Sequence, residues 1–109
     1  MKQLLWIGSS YKTVCAWSKG VKQAAGYQLH LIQQGMDPDD WKPMQSVGAG
    51  VREVRIHVEG ERRIVYVAKF DEGVYILHAF AKKTQKTPKK DIAMAKARFE
   101  EVMQARMKR

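Results

Sequence analysis

Residues 50–91 read GVREVRIHVEGERRIVYVAKFDEGVYILHAFAKKTQKTPKKD, and this stretch decides the fold. Three runs rich in β-branched and aromatic residues, Val51–Val58, Arg62–Phe70 and Val74–Phe80, are separated by the turn signals Glu59-Gly60 and Asp71-Glu72-Gly73. Connections this short join neighbouring antiparallel strands, so the sequence predicts a three-strand meander. Strand side chains alternate between faces. Val54, Ile56 and Val58 therefore share one face of the first run, and Glu53, Arg55 and His57 the other. In the second run Ile64, Tyr66, Ala68 and Phe70 oppose Arg63, Val65, Val67 and Lys69. That last set is apolar in the middle and basic at both ends. A central strand with two partly apolar faces requires cover on both sides.

The flanking segments offer that cover. Gln3–Ile7 reads as a short strand closed by Gly8, and Ser9 and Ser10 are suited to cap a helix running through Tyr11, Val14 and Cys15 towards Trp17. After the break Ser18-Lys19-Gly20, apolar residues Val21, Ala24, Ala25, Leu29, Leu31 and Ile32 recur mostly at helical spacing up to a stop at Gly35. So short a break predicts a helical hairpin or a bent pair. Met36–Gly50, with Pro38, Pro43, Gly48 and Gly50, reads as a long connection. Pro88 suits a first helical turn, and Ile92, Ala95, Phe99, Val102, Met103 and Met107 form one stripe of a helix from Lys89 to about Lys108. The expected fold is one α+β domain over residues 1–109. A mostly antiparallel sheet packs on an N-terminal helical hairpin, and its second face is covered by the C-terminal helix or by a partner chain.

Charge narrows the partners. The net charge is +9, and it is unevenly placed. Residues 1–81 carry ten Lys/Arg against eight Asp/Glu, whereas residues 82–109 carry ten against three. Such asymmetry points to nucleic acid, an anionic membrane surface or an acidic protein partner. The hydrophobic content of 45% argues against disorder. Cys15 stands alone, which excludes an internal disulfide and a cysteine-rich metal site. Leu4-Leu5-Trp6-Ile7 is too short for a signal-peptide core or a membrane span, so a cytoplasmic protein with no membrane partner is expected.

Familiar catalytic motifs are missing. The chain has no phosphate-cradling glycine loop, no nucleophile elbow and no HExxH pair, and its Cys, His and carboxylate residues do not fall at zinc-ligand spacing. No metal and no cofactor is expected. His30 falls in a helix pattern, while His57 and His78 lie on strands and reach one surface only if the register allows it. What remains is a set of cations: Arg55 and Arg63 in the sheet, then Lys82, Lys83, Lys86, Lys89 and Lys90 after it. Arginine grips phosphate through two parallel hydrogen bonds, and preorganised cations stabilise a phosphoryl-transfer transition state. The competing reading pairs Arg55 and Arg63 with Glu53 or Glu61 on a solvated strand and leaves the lysines as a solvated loop.

Residues 3–105 resemble the RelE/HigB family of bacterial toxins, in particular its phage-related branch. The resemblance is carried by Asp40-Trp41-Lys42-Pro43-Met44, Gly50-Val51-Arg52-Glu53-Val54-Arg55, Arg63-Ile64-Val65-Tyr66-Val67 and above all the run Leu77–Thr87. It implies the toxin component of a type II toxin–antitoxin system, an endoribonuclease that cuts messenger RNA, in many members on the ribosome. It also implies an antitoxin encoded alongside, here a helix-turn-helix protein, and chemistry that needs no metal. The family's strand basic residue falls on Arg55, its next arginine on Arg63, and the basic residue after the last strand on Lys83. Family members that use a C-terminal tyrosine or histidine for proton transfer have no match here, since no tyrosine follows Tyr75. His78 and Lys86 are the neighbouring candidates, and Lys89 or Lys90 stands where that residue would fall. Lys82, Lys86, Lys89 and Lys90 are expected to hold the RNA backbone. A gyrase-inhibiting branch shares the fold without the nuclease chemistry, so a protein-binding inhibitor is the alternative. The basic surface and the apolar residues Val65 and Val67 together predict an acidic, partly apolar antitoxin cover.

Overall fold

The computed structural model describes residues 1–108. Its elements in chain order are β1 (Leu4–Trp6), α1 (Ser10–Cys15), α2 (Lys19–Gln33), β2 (Trp41–Pro43), β3 (Val51–Ile56), β4 (Arg62–Val67), β5 (Val74–Ala81) and α3 (Lys89–Met107). They build an α+β fold around one five-stranded sheet of order β1-β5-β4-β3-β2. All neighbours are antiparallel except β1, which runs parallel to β5.

The expected meander is present as β3, β4 and β5. Its first turn holds Glu59 and Gly60 at φ 53° and 100°. Successive positive φ values match the right-handed twist of a hairpin, and glycine adopts one of them without steric cost. Two expectations need correction. Met36–Gly50 is not wholly a connection, because Trp41–Pro43 pairs with Val54–Arg52 as an edge strand. Its Pro43 is tolerated because an edge strand leaves one row of amides unpaired. The second helix begins at Lys19 rather than after Gly20, since Ser18 itself caps it by accepting from the Val21 amide.

The two faces of the sheet are covered separately. On the first, Val54, Ile56, Ile64, Tyr66, Val74, Ile76 and Ala79 pack with Val14 of α1 and Ala25, Leu29 and Ile32 of α2. On the second, Val51, Val65, Val67, Tyr75, Leu77 and Phe80 pack with Ala95 and Val102 of α3 and with Met44 and Val47. Val65 and Val67 are thus buried beneath the chain's own helix, at 1% and 0% exposure, and do not await a partner. None of the described helices is long and apolar enough to cross a membrane.

Strict alternation fails in β5. Val65 pairs with His78 but the next residue, Tyr66, pairs with Ile76, so Leu77 is an extra residue opposite β4. A bulge of this kind places two successive side chains on one face and shifts every later residue by one. Leu77 enters the core beneath α3, and His78, Phe80 and Lys82 follow it onto that face. The bulge therefore decides which cations meet.

Candidate active site

On the α3 side of the sheet, at the end of β3 and β4 away from the helix core, alternation brings Glu53, Arg55 and His57 opposite Arg63. Arg55 and Arg63 are direct cross-strand partners. Like charges placed so repel one another unless anions lie between them. Here three carboxylates do. Arg63 donates to Glu61 at 2.9 Å, Arg55 lies 3.8 Å from Asp40, and Glu53 Oε1 lies 3.7 Å from Arg63 Nε. His57 closes the circuit, with Nε2 at 2.6 Å from Asp40 and Nδ1 at 2.8 Å from Glu61. Hydrogen bonds to Glu61 and then to Asp40 hold the His57 pKa above its ordinary 6.5. The same His57 contact, followed by Arg63, holds the Glu61 carboxyl below its ordinary 4.5.

Glu53 is the anchor of the cluster. Its side chain has 0% exposure, with Lys42 at 3.8 Å on one side and Arg63 on the other. Thr87 Oγ1 donates to its Oε2 at 3.0 Å, which pins the segment after β5 across β4 onto β3. Lys82, only 9% exposed, sits among these groups. Burial first, then the positive charge of Arg63, draws the Lys82 ammonium below its ordinary pKa of 10.5, with Lys42 and Arg55 acting in the same sense and Glu53 opposing them. Its amine gives up a proton more readily than a surface lysine does. Lys42, Arg63 and Lys82 thus converge on one buried carboxylate, with Arg55 beside them on the neighbouring strand. The Nε–H groups of Arg55 and Arg63 are buried without an acceptor among the described residues. Unmet guanidinium donors in a cationic site suit an oxyanion, which would accept from both.

The residues expected from the sequence divide. Arg55 and Arg63 come together, whereas Lys83 is exposed and Lys82 takes the inner position. Lys86, Lys89 and Lys90 are exposed where the loop enters α3. His78 is drawn into a different network. Arginine can only donate, so His78 Nδ1 accepts from Arg98 at 3.2 Å and Nε2 carries the proton given to Asp91 at 2.7 Å. Arg98 also donates to the Leu77 carbonyl and to Ser9, tying α3 to β5 and to the start of α1. With both nitrogens engaged inside the protein, His78 ties α3 to the sheet. Read from the sequence, His57 and Lys42 have no role at the site and Glu53 only that of an ion-pair partner, which its contact with Arg63 bears out. The spacing of Glu53, Arg55 and His57 on one strand face is the signal for Glu53 and His57, whereas Lys42 comes from β2 and has none. Among the described residues, no group of three His, Cys, Asp or Glu side chains is arranged to hold a metal ion.

The architecture is that of an α+β protein with a helix-backed sheet and a cation cluster on one sheet face. Residues 12–100 match the family model described as phage derived protein Gp49-like (DUF891), and the chain belongs to that family. The Gp49-like family lies within the RelE toxin-like superfamily. No curated protein matches the chain.

Proposed function

We propose that this protein is a toxin-type endoribonuclease that cleaves messenger RNA by attack of a ribose 2′-hydroxyl on the adjacent phosphate. The observation that supports this best is the convergence of Lys42, Arg55, Arg63 and Lys82, with two buried guanidinium N–H groups lacking acceptors among the described residues. Membership of a family within the RelE toxin-like superfamily agrees with it. In this reading the scissile phosphate enters between Arg55 and Arg63, taking the place of the Asp40 and Glu61 carboxylates beside them. Lys82, with its depressed pKa, accepts the 2′-hydroxyl proton. The two guanidinium groups stabilise the charge of the phosphorane. His57, whose pKa Glu61 and Asp40 raise in the free protein, supplies a proton to the departing 5′-oxygen. Lys86, Lys89 and Lys90 hold flanking phosphates and read no bases. The ribosome is the expected setting, and an adjacent-gene antitoxin of helix-turn-helix type the expected partner in restraint.

The experiment is a cleavage assay on a defined messenger in a translating extract. Cleavage should leave a 2′,3′-cyclic phosphate or its hydrolysis product, and one 2′-deoxy nucleotide at the mapped site should block it. Intact messenger with a DNA-damage response in cells would instead favour the gyrase-directed alternative. Growth without arrest, and no neighbouring gene product that binds, would oppose any toxin role.

A further inference from the structure

A second pocket, of about 290 Å³, opens on the opposite face of the sheet, where the C-terminal end of α2 meets β3 and β4. Alternation along β3 sends Arg52 to this face and Glu53 and Arg55 to the other. Arg52 and Tyr66 are cross-strand partners and both line the pocket, together with Lys2, Asp37 and Lys69.

Tyr66 carries the inference. The residue is 1% exposed, its ring lies in the core beneath α2, and its buried hydroxyl, beside the Arg52 guanidinium, finds no acceptor for its own proton among the described residues. Buried hydroxyls almost always have one. Arg52 lies within hydrogen-bonding reach of that hydroxyl and the Asp37 charge also acts on it, which places it at the pocket wall these residues form. Burial holds the phenol above its ordinary 10.0, so it remains a donor.

The cations around it are lightly held. Lys2 Nζ donates to the Ala68 carbonyl and Lys69 Nζ to the Ala49 carbonyl, both neutral acceptors. Arg52 lies flat on Trp41, 3.9 Å from the ring centroid, and reaches Asp37 at 2.9 Å. Asp37 is 65% exposed at its side chain, so it can swing clear of the guanidinium. Three cations thus line the pocket with one exposed carboxylate and one hydroxyl whose proton has no acceptor among the described residues. A further carboxylate would leave part of this charge unbalanced, whereas a tetrahedral dianion matches it and has acceptors for every donor.

We propose that this pocket binds a phosphate group, as the free ion or as the end of a small phosphate monoester, independently of the cation cluster on the other face. Arg52 and Tyr66 would grip it, Lys2 and Lys69 would add charge, and Asp37 would compete with it.

The test is isothermal titration of the full chain with inorganic phosphate at constant ionic strength in a phosphate-free buffer, with acetate as comparator and glycerol 3-phosphate as the ester. Saturable phosphate binding is expected, with acetate much weaker. Tyr66→Phe and Arg52→Gln should each weaken it at least about tenfold, the effect of losing one charge-assisted hydrogen bond. Asp37→Asn should tighten it. Tyr66→Phe removes only the hydroxyl and keeps the buried ring, so its fold should be retained. Tighter binding of the ester would identify it as the ligand, and equal binding the free ion. No saturable binding, or binding lost in Arg63→Ala and kept in Tyr66→Phe, overturns the proposal.

Discussion

Replacing Glu53 by glutamine should cost the fold about 3 kcal/mol, the lower end of what is lost when one partner of a buried ion pair is removed. The side chain is wholly buried and Arg63 is 7% exposed, so the remaining guanidinium cannot recover its hydration. The lower end applies because Arg63 keeps Glu61 at 2.9 Å, and because Lys42, 37% exposed, is already screened by water. Glutamine keeps the shape and can still accept from Thr87, so the loss isolates the charge. For a domain of this size the change corresponds to roughly 12 °C or more in melting temperature. Urea unfolding should show a lower midpoint with an unchanged slope. In the double variant Glu53→Leu with Arg63→Met, much of the stability should return, since neither charge is then buried alone. Removing Glu53 should also lower the Lys82 pKa further, because Glu53 is the group that opposes Arg63, Lys42 and Arg55 there. That shift is readable from the Lys82 side-chain resonances. A Glu53→Gln variant within about 0.5 kcal/mol of wild type would refute the anchor role.

Three further expectations follow from separate parts of the molecule. His57 is held above its ordinary 6.5 by Glu61 and Asp40, so its stabilising contribution is full below pH 6.5 and is lost as pH rises through the higher folded value. Stability against pH should therefore decline over that window in wild type and lose this component in His57→Asn, and equal slopes would contradict it. Gly8 has φ +58°, and a Cβ there would stand 2.5 Å from Arg98 Nε, so Gly8→Ala should lose at least about 1–2 kcal/mol in chemical unfolding and loosen the α3 contacts. Removing Lys86, Lys89 and Lys90 together should flatten the salt dependence of RNA or ribosome binding by about 0.7 log units per lost phosphate contact without moving cleavage sites. An unchanged slope would leave those lysines as a solvated surface.

The parts legible in the sequence were those governed by local rules. The turn at Glu59-Gly60 and the alternation in Val51–Ile56 and Arg62–Val67 suffice to place Arg55 and Arg63 on one face. The apolar stripe of Lys89–Met107 announced the helix that covers Val65 and Val67, though not that it would leave no apolar face for a partner there. What escaped depended on pairing at a distance. Strict alternation from Tyr75 and Leu77 would carry Lys83 onto the cation face, and the extra residue in β5 hands that place to Lys82. The same bulge turns His78 towards Asp91 and Arg98 of α3. Trp41–Pro43 looked like loop because three residues around a proline carry no periodicity, and only the β3 edge makes them a strand. His57 was visible but had no partners in sequence, since Asp40 comes from the connection ahead of β2 and Glu61 from beyond the hairpin turn.

The central claim is that the inward cation set, not the outer lysines, performs RNA cleavage, and a comparison of Lys82→Ala with Lys83→Ala tests it most directly. Transcript ends would be mapped and cleavage rates measured in a translating extract, alongside wild type and Arg63→Ala. The account predicts that Lys82→Ala and Arg63→Ala lose about a hundredfold or more, as when one preorganised transition-state donor is removed, while Lys83→Ala stays within a few-fold of wild type. Cleavage that survives Lys82→Ala and fails in Lys83→Ala, or a wild-type protein that leaves the messenger intact, would contradict it.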